Sequence, residues 1–201
     1  MILSAKPGTN ADLFPDILVL YAQPGHAILD CTYGKGIFWK NVDRTQYAVT
    51  TNDMVTDADV HHDFRQLPFA EGTFDMVVLD PPYAYSPKNT MKESISACYQ
   101  NNTSVDISNM AKVLQLYVDG IVEARRVLKP GGILVVKSQD IVESGRQCWM
   151  HVHLMQSPGF VCEDLLVLLQ NSVPAADPKW KVQRHARKNH SFFIVLKKTK
   201  G

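Results

Sequence analysis

The chain has 201 residues, 45% of them hydrophobic and 20% charged, with 21 Lys and Arg against 20 Asp and Glu for a formal net charge of +1. This length suits one domain with a sizeable core, and the composition is that of a soluble globular protein. A charge so near zero excludes a global electrostatic attraction to nucleic acid, so any basic surface must be local.

No apolar run approaches membrane-spanning length, and Met1 to Asn10 lacks the long apolar core of a signal peptide. The four cysteines, Cys31, Cys98, Cys148 and Cys162, have no paired spacing. They read as reduced, mostly buried thiols of a cytoplasmic protein. There is no internal repeat and no low-complexity tract.

In chain order, residues 1–11 read as irregular, with Pro7-Gly8 as a turn. Asp12 is placed to cap a helix over 13–22 that turns Leu13, Ile17, Leu18 and Leu20 to a core, and Pro24-Gly25 ends it. A strand follows at Ala27 to Cys31, then the loop Thr32-Tyr33-Gly34-Lys35-Gly36 and a helix. Glycines let a backbone approach a ligand closely. Gln46 to Thr51 reads as a second strand ending at Asn52-Asp53. An acid at that strand end, about twenty residues past a glycine loop, suits a ribose diol. It also suits a helix N-cap, and the two roles are compatible.

Met76-Val77-Val78-Leu79 reads as a short, buried parallel strand stopped by Asp80-Pro81-Pro82-Tyr83. Neither proline can donate to a ladder, and each keeps the preceding residue extended. The strand tip therefore carries one carboxylate, unused carbonyls and one aromatic ring, at the edge where open α/β sheets bind ligands. A polar stretch from Ala84 to about Ser104 is long for a plain connection. It reads either as a loop closing over a ligand or as disorder. A helix is expected over 107–128, broken by Pro130-Gly131-Gly132, with a strand over 133–137, a helix over 142–156 and strands over 161–169 and 192–197. Between the last two strands, Lys179, Lys181, Arg184, Arg187 and Lys188 stand with Trp180 against a single Asp177. A basic cluster with an aromatic suits a phosphate backbone and an unstacked base; the alternative is a solvated loop.

The Asp80-Pro81-Pro82-Tyr83 motif resembles the catalytic motif of class I S-adenosylmethionine-dependent methyltransferases that modify exocyclic amino groups of nucleic-acid bases. It is most similar to the DNA adenine-N6 and cytosine-N4 enzymes. Asp30 followed by Gly34-Lys35-Gly36 resembles their cofactor motif, departing at Cys31 and Tyr33 from the common Asp-Pro-Phe opening. His61 to Phe69 resembles their adenine-contacting segment, and Leu128-Lys129-Pro130-Gly131-Gly132 the approach to their fifth strand.

The resemblance implies a Rossmann-like α/β fold: a seven-stranded, mostly parallel sheet with helices on both faces and a last antiparallel hairpin. It implies S-adenosyl-L-methionine as cofactor, held by Asp30, Thr32, Tyr33, Gly34, Gly36 and Asp53, with Asp63 near the adenine amino group and Phe64 packed on the ring. At the target, Asp80 and the Pro81 carbonyl would accept hydrogen bonds from the two amino hydrogens. Pro82 would stiffen the turn and Tyr83 would stack on the base. The chain is expected to be one methyltransferase domain without a separate target-recognition domain. Reading DNA would then fall to its own loops, to a partner protein or to a second copy. The alternatives are an RNA guanine-N2 or adenine-N6 enzyme and a non-catalytic cofactor-binding scaffold.

Other chemistries fit poorly. Trp39 stands where the dinucleotide fingerprint needs its third glycine. His151 and His153 cannot share a helix face, so Cys148-x-x-His151-x-His153 offers no metal site. No Pro-Cys dipeptide supplies a nucleophile for ring-carbon methylation.

Overall fold

The computed structural model describes residues 1–83, 106–170 and 182–200. The strands are β1 (Ala5–Pro7), β2 (Ala27–Asp30), β3 (Ala48–Thr51), β4 (Phe74–Leu79), β5 (Leu128–Ser138), β6 (Ile141–Glu143), β7 (Arg146–Cys148), β8 (Phe160–Leu169) and β9 (His190–Lys198). The described helices are α1 (Asn10–Tyr21), α2 (Met110–Val127) and α3 (Met150–Met155). None is long and apolar enough to cross a membrane.

Seven strands form one sheet in the order β1-β8-β9-β5-β4-β2-β3. Only β9 runs against its neighbours, so β8 and β9 make the expected antiparallel pair. The central strands are buried on both faces, which is why they read as continuous apolar runs. Their side chains alternate between two cores. Leu29, Val77, Leu79, Leu134 and Val136 pack with Val113, Tyr117 and Ile121 of α2. Ile28, Met76, Val78, Ile133 and Val135 pack with Leu13, Phe14 and Ile17 of α1.

Four expectations are corrected. Residues 5–7 are not irregular: they form β1, an edge strand parallel to Val167–Leu169, fixed also by Val167 N–H donating to the Ser4 carbonyl at 2.7 Å. Asp12 lies inside α1, whose N-cap is Thr9; its carboxylate reaches back to the Thr9 N–H at 2.8 Å. Pro15 lies within this helix and cannot bond the Ala11 carbonyl. Asn41 Nδ2 donates to that carbonyl instead, at 3.1 Å.

Gly36 opens no α-helix, only a 3-10 turn at Ile37–Trp39 and a second at Arg44–Gln46. Phe38 and Trp39 are pulled into the core against Phe14, and the Asp43 carboxylate accepts the Thr45 N–H, giving the backbone a turn in place of a helix. The helix expected over 142–156 is instead the β6–β7 hairpin followed by the short α3. Ser144 and Gly145, both at positive φ (48° and 78°), make the two-residue connection that a primed hairpin turn requires.

Candidate active site

The tips of β2, β3, β4 and β5 meet at one edge of the sheet, around a cavity of about 390 Å³. Asp80, Pro81, Pro82 and Tyr83 all line it, and so do Asp30, Thr32, Tyr33, Gly34, Asp53 and Phe64. The strand-end motif and the glycine loop therefore share one site. Gly36 and Asp63 do not line the cavity. Gly36 sits beneath the Tyr33 ring, where a Cβ would come within 2.5 Å of the Tyr33 hydroxyl; its φ of 65° also favours glycine. The Asp63 carboxylate is held by Arg65 Nε at 2.9 Å, and that bond keeps it below the ordinary carboxylate range.

Asp30 is turned into the protein. It is 3% exposed, accepts Trp39 Nε1–H at 2.8 Å and the Thr32 N–H at 3.2 Å. Burial outweighs these bonds and pushes its carboxyl up to about 7. Asp53 braces the glycine loop from the other side: its carboxylate accepts the N–H of Gly34, Val55 and Thr56, each at 2.9 Å. Each carboxylate oxygen has two acceptor sites, so one remains for a ligand. The N-cap-like role is the one observed, and it is compatible with the ligand-holding role expected from the sequence.

Asn52, buried at the end of β3, donates to the carbonyls of Cys31 and His62 and accepts the His62 N–H. It ties the strand ends to the segment carrying Phe64. Phe64 itself lies against Gly120 of α2, where a Cβ would meet the ring at 2.7 Å.

At the β4 tip, Asp80 N–H donates to Thr32 Oγ1 at 2.7 Å. Lys137 Nζ, on β5, lies 3.3 and 3.2 Å from the two Asp80 carboxylate oxygens. Burial pushes the Asp80 carboxyl up, and the Lys137 ammonium pulls it part of the way back. The Tyr117 hydroxyl donates to the Lys137 carbonyl at 2.9 Å and stands 3.3 Å from the Pro81 carbonyl, spanning the ends of β4 and β5.

Sequence reasoning missed Lys137, Asn52 and Tyr117. Lys137 alone carried a signal: a charged residue closing a run of buried apolar strand residues is seldom accidental.

Of the basic residues, Lys179 and Lys181 lie outside the described residues, as does the stretch 84–104. Arg184 and Arg187 are exposed, and the Lys188 ammonium sits 4.7 Å above the ring of Trp149, itself 47% exposed. None of the three lines the cavity, but Gln170, which does, donates its N–H to the Asn189 carbonyl at 2.7 Å. Among the described residues, no group of His, Cys, Asp or Glu could hold a metal ion. His151 instead bonds the buried Asp140 through Nδ1 at 2.8 Å.

No protein-family model matches the chain, and no curated protein matches it. Solved structures do resemble it. TrmN from Thermus thermophilus superposes with a TM-score of 0.55 at 18% identity over 92% of this chain; the match spans only 48% of the TrmN chain, about half its length. A SAM-dependent methyltransferase of Methanosarcina mazei gives 0.53 at 16% identity, over 91% of this chain and 97% of that one. A candidate methyltransferase of Bacillus halodurans C-125 gives 0.59 at 14% identity, over 93% and 99%. At such identities the likeness establishes the fold, and that fold is the Rossmann-like one of the class I methyltransferases.

Proposed function

We propose that the chain transfers a methyl group from S-adenosyl-L-methionine to an exocyclic amino nitrogen of a nucleic-acid base, with adenine N6 in DNA as the expected product and cytosine N4 in DNA as the second. The observation that carries this reading is the joint lining of one cavity by Asp80 to Tyr83 and by the Asp30–Gly34 loop with Asp53. A methyl donor and its acceptor must meet at one place, and these two groups of residues do.

The cavity suits the cofactor. Gly34 at φ 56° leaves open space above its Cα, since a Cβ there would find only the Thr32 carbonyl, at 3.9 Å. Asp53 would hold the ribose hydroxyls and Phe64 would pack on the adenine ring. Asp30 would act indirectly, by fixing the loop through Trp39 and Thr32. When bound, S-adenosyl-L-methionine supplies an electrophilic methyl group.

The rest is positioning by this chain. An aromatic amino nitrogen is a poor nucleophile because its lone pair is delocalised into the ring. Hydrogen bonds from its two N–H groups to the Asp80 carboxylate and the Pro81 carbonyl favour a pyramidal nitrogen and aim the lone pair. Orientation of this kind supplies much of the rate in such reactions. Tyr83 stacks on the base, which must leave a duplex to reach the slot. Arg184, Arg187 and Lys188, with Lys179 and Lys181, would meet the phosphates. Transfer of labelled methyl from the cofactor to DNA and RNA, supplied separately, tests the reading.

A further inference from the structure

Lys137 is a buried cation at the floor of the cavity. Its side chain is 6% exposed, and that of Asp80 is 18% exposed. An ammonium has three N–H donors. Those of Lys137 have only the Asp80 carboxylate as acceptor among the described residues. The separations, 3.2 and 3.3 Å, exceed the about 2.7–2.9 Å of a closed charge-assisted bond. The ammonium also lies 5.2 Å from the centre of the Tyr83 ring and 6.0 Å from that of Phe38. It therefore borders the place where a base stacked on Tyr83 would set its edge.

We infer that Lys137 is a specificity-determining residue: Asp80 and Lys137 together form an acceptor–donor pair that reads an amino group adjoining an unprotonated ring nitrogen. The inference rests on the function proposed above. Asp80 accepts from the amino N–H, and Lys137 donates to the neighbouring ring nitrogen. Adenine presents this pair at N6 and N1, and cytosine at N4 and N3. Guanine N2 adjoins N1–H, which would face the ammonium donor to donor, and N3, which is crowded by the sugar. A buried donor left without its acceptor costs more than a missing apolar neighbour, so the pair selects 6-aminopurines and 4-aminopyrimidines over guanine.

The test uses single-stranded oligonucleotides carrying adenine, 1-deazaadenine or 7-deazaadenine at the methylated position, with 3-deazacytosine as the analogue if cytosine is the target. The parent protein should methylate the 1-deaza substrate about 10- to 100-fold more slowly than adenine, and the 7-deaza substrate at nearly the adenine rate. Because removing N1 also alters the amino group, the comparison with Lys137→Met carries the result: in that variant the discrimination should shrink to the intrinsic difference in reactivity between the two bases. Binding of the same oligonucleotides to the parent protein gives the contrast without any variant and without any effect of reactivity. Equal binding and equal turnover of adenine and 1-deazaadenine, undiminished discrimination by Lys137→Met, or N2-methylguanine as product would each overturn the inference while leaving an amino-methyltransferase. Absence of transfer to any nucleic acid would overturn the underlying function as well.

Discussion

Thr32 Oγ1 accepts the backbone N–H of Asp80 at 2.7 Å, so the glycine loop and the strand-end motif are joined by one hydroxyl. The Thr32 N–H meanwhile donates to Asp30. Asp30, Thr32 and Asp80 are thereby linked in one chain of hydrogen bonds. Thr32→Val keeps the shape and removes the acceptor, leaving the Asp80 N–H without its partner. Denaturant unfolding should show a loss of about 1–3 kcal/mol, and methyl transfer should slow beyond what the lost stability explains. A variant with parental stability and rate would mean that the two motifs are held together by other interactions.

Asp53 has a different combination of duties. Its carboxylate braces Gly34, Val55 and Thr56 and, in the proposed function, the ribose. Calorimetry with S-adenosyl-L-methionine should give micromolar-range binding to the parent, about 8 kcal/mol, and Asp53→Ala should weaken it by about 1–3 kcal/mol. Undiminished affinity in Asp53→Ala would confine this residue to the structure of the loop.

Asp30 makes stability depend on pH in an unusual direction. Its carboxyl is raised from 3.8 to about 7, chiefly by burial, so the folded state holds the proton more tightly than the unfolded chain. Its contribution is full below the unfolded value near 4 and is lost as pH rises through about 7. One pKa unit corresponds to about 1.4 kcal/mol, so the change across that window is on the order of a few kcal/mol. Asp30→Asn removes the titration. Its stability relative to the parent should rise between pH 4 and pH 8; a difference independent of pH would show that Asp30 does not titrate in this range.

The basic residues near β9 should act through charge. Nucleic-acid binding should weaken steeply with salt. Neutralising Arg184, Arg187 and Lys188 together should flatten the slope of log affinity against log salt by about one unit for each phosphate they would otherwise neutralise. A triple variant with the parental slope would leave these residues as solvated surface.

The parts of the fold legible in the sequence were those governed by local pattern. β4 announced itself as a buried run stopped by two prolines, and α2 through an apolar period that included Leu114, Tyr117, Val118 and Ile121; Tyr117 and Ile121 are buried, whereas Val118 is exposed and Val113 and Leu116 complete the core face. The parts that stayed hidden depend on distant partners. Ala5–Pro7 has no period of its own, and only pairing with Val167–Leu169 makes it a strand. The stretch after Gly36 carries enough apolar residues for a helix, yet Trp39 bonds Asp30 and Phe38 packs on Phe14, so a tight turn wins. At the candidate site, the placement of Asp80 and Tyr83 at a strand tip was readable because the two prolines mark the end of the strand. The partnership of Asp80 with Lys137 was not, because it joins adjacent strands separated by a long connection. At Asp63, where the family resemblance implies a contact with the adenine amino group, pattern gave no sign that Arg65, two residues away, binds the carboxylate.

The central claim is the transfer of a methyl group to an exocyclic base nitrogen by way of Asp80. The most direct measurement supplies labelled S-adenosyl-L-methionine with DNA and RNA in separate reactions, followed by digestion to nucleosides and identification of the labelled product, for the parent and for Asp80→Ala. The proposed function predicts N6-methyladenine in DNA from the parent protein. It also predicts a loss of several orders of magnitude in Asp80→Ala, with cofactor binding nearly intact. A label on a ring carbon or a ribose oxygen, no label in either nucleic acid, or near-parental turnover by Asp80→Ala would contradict it.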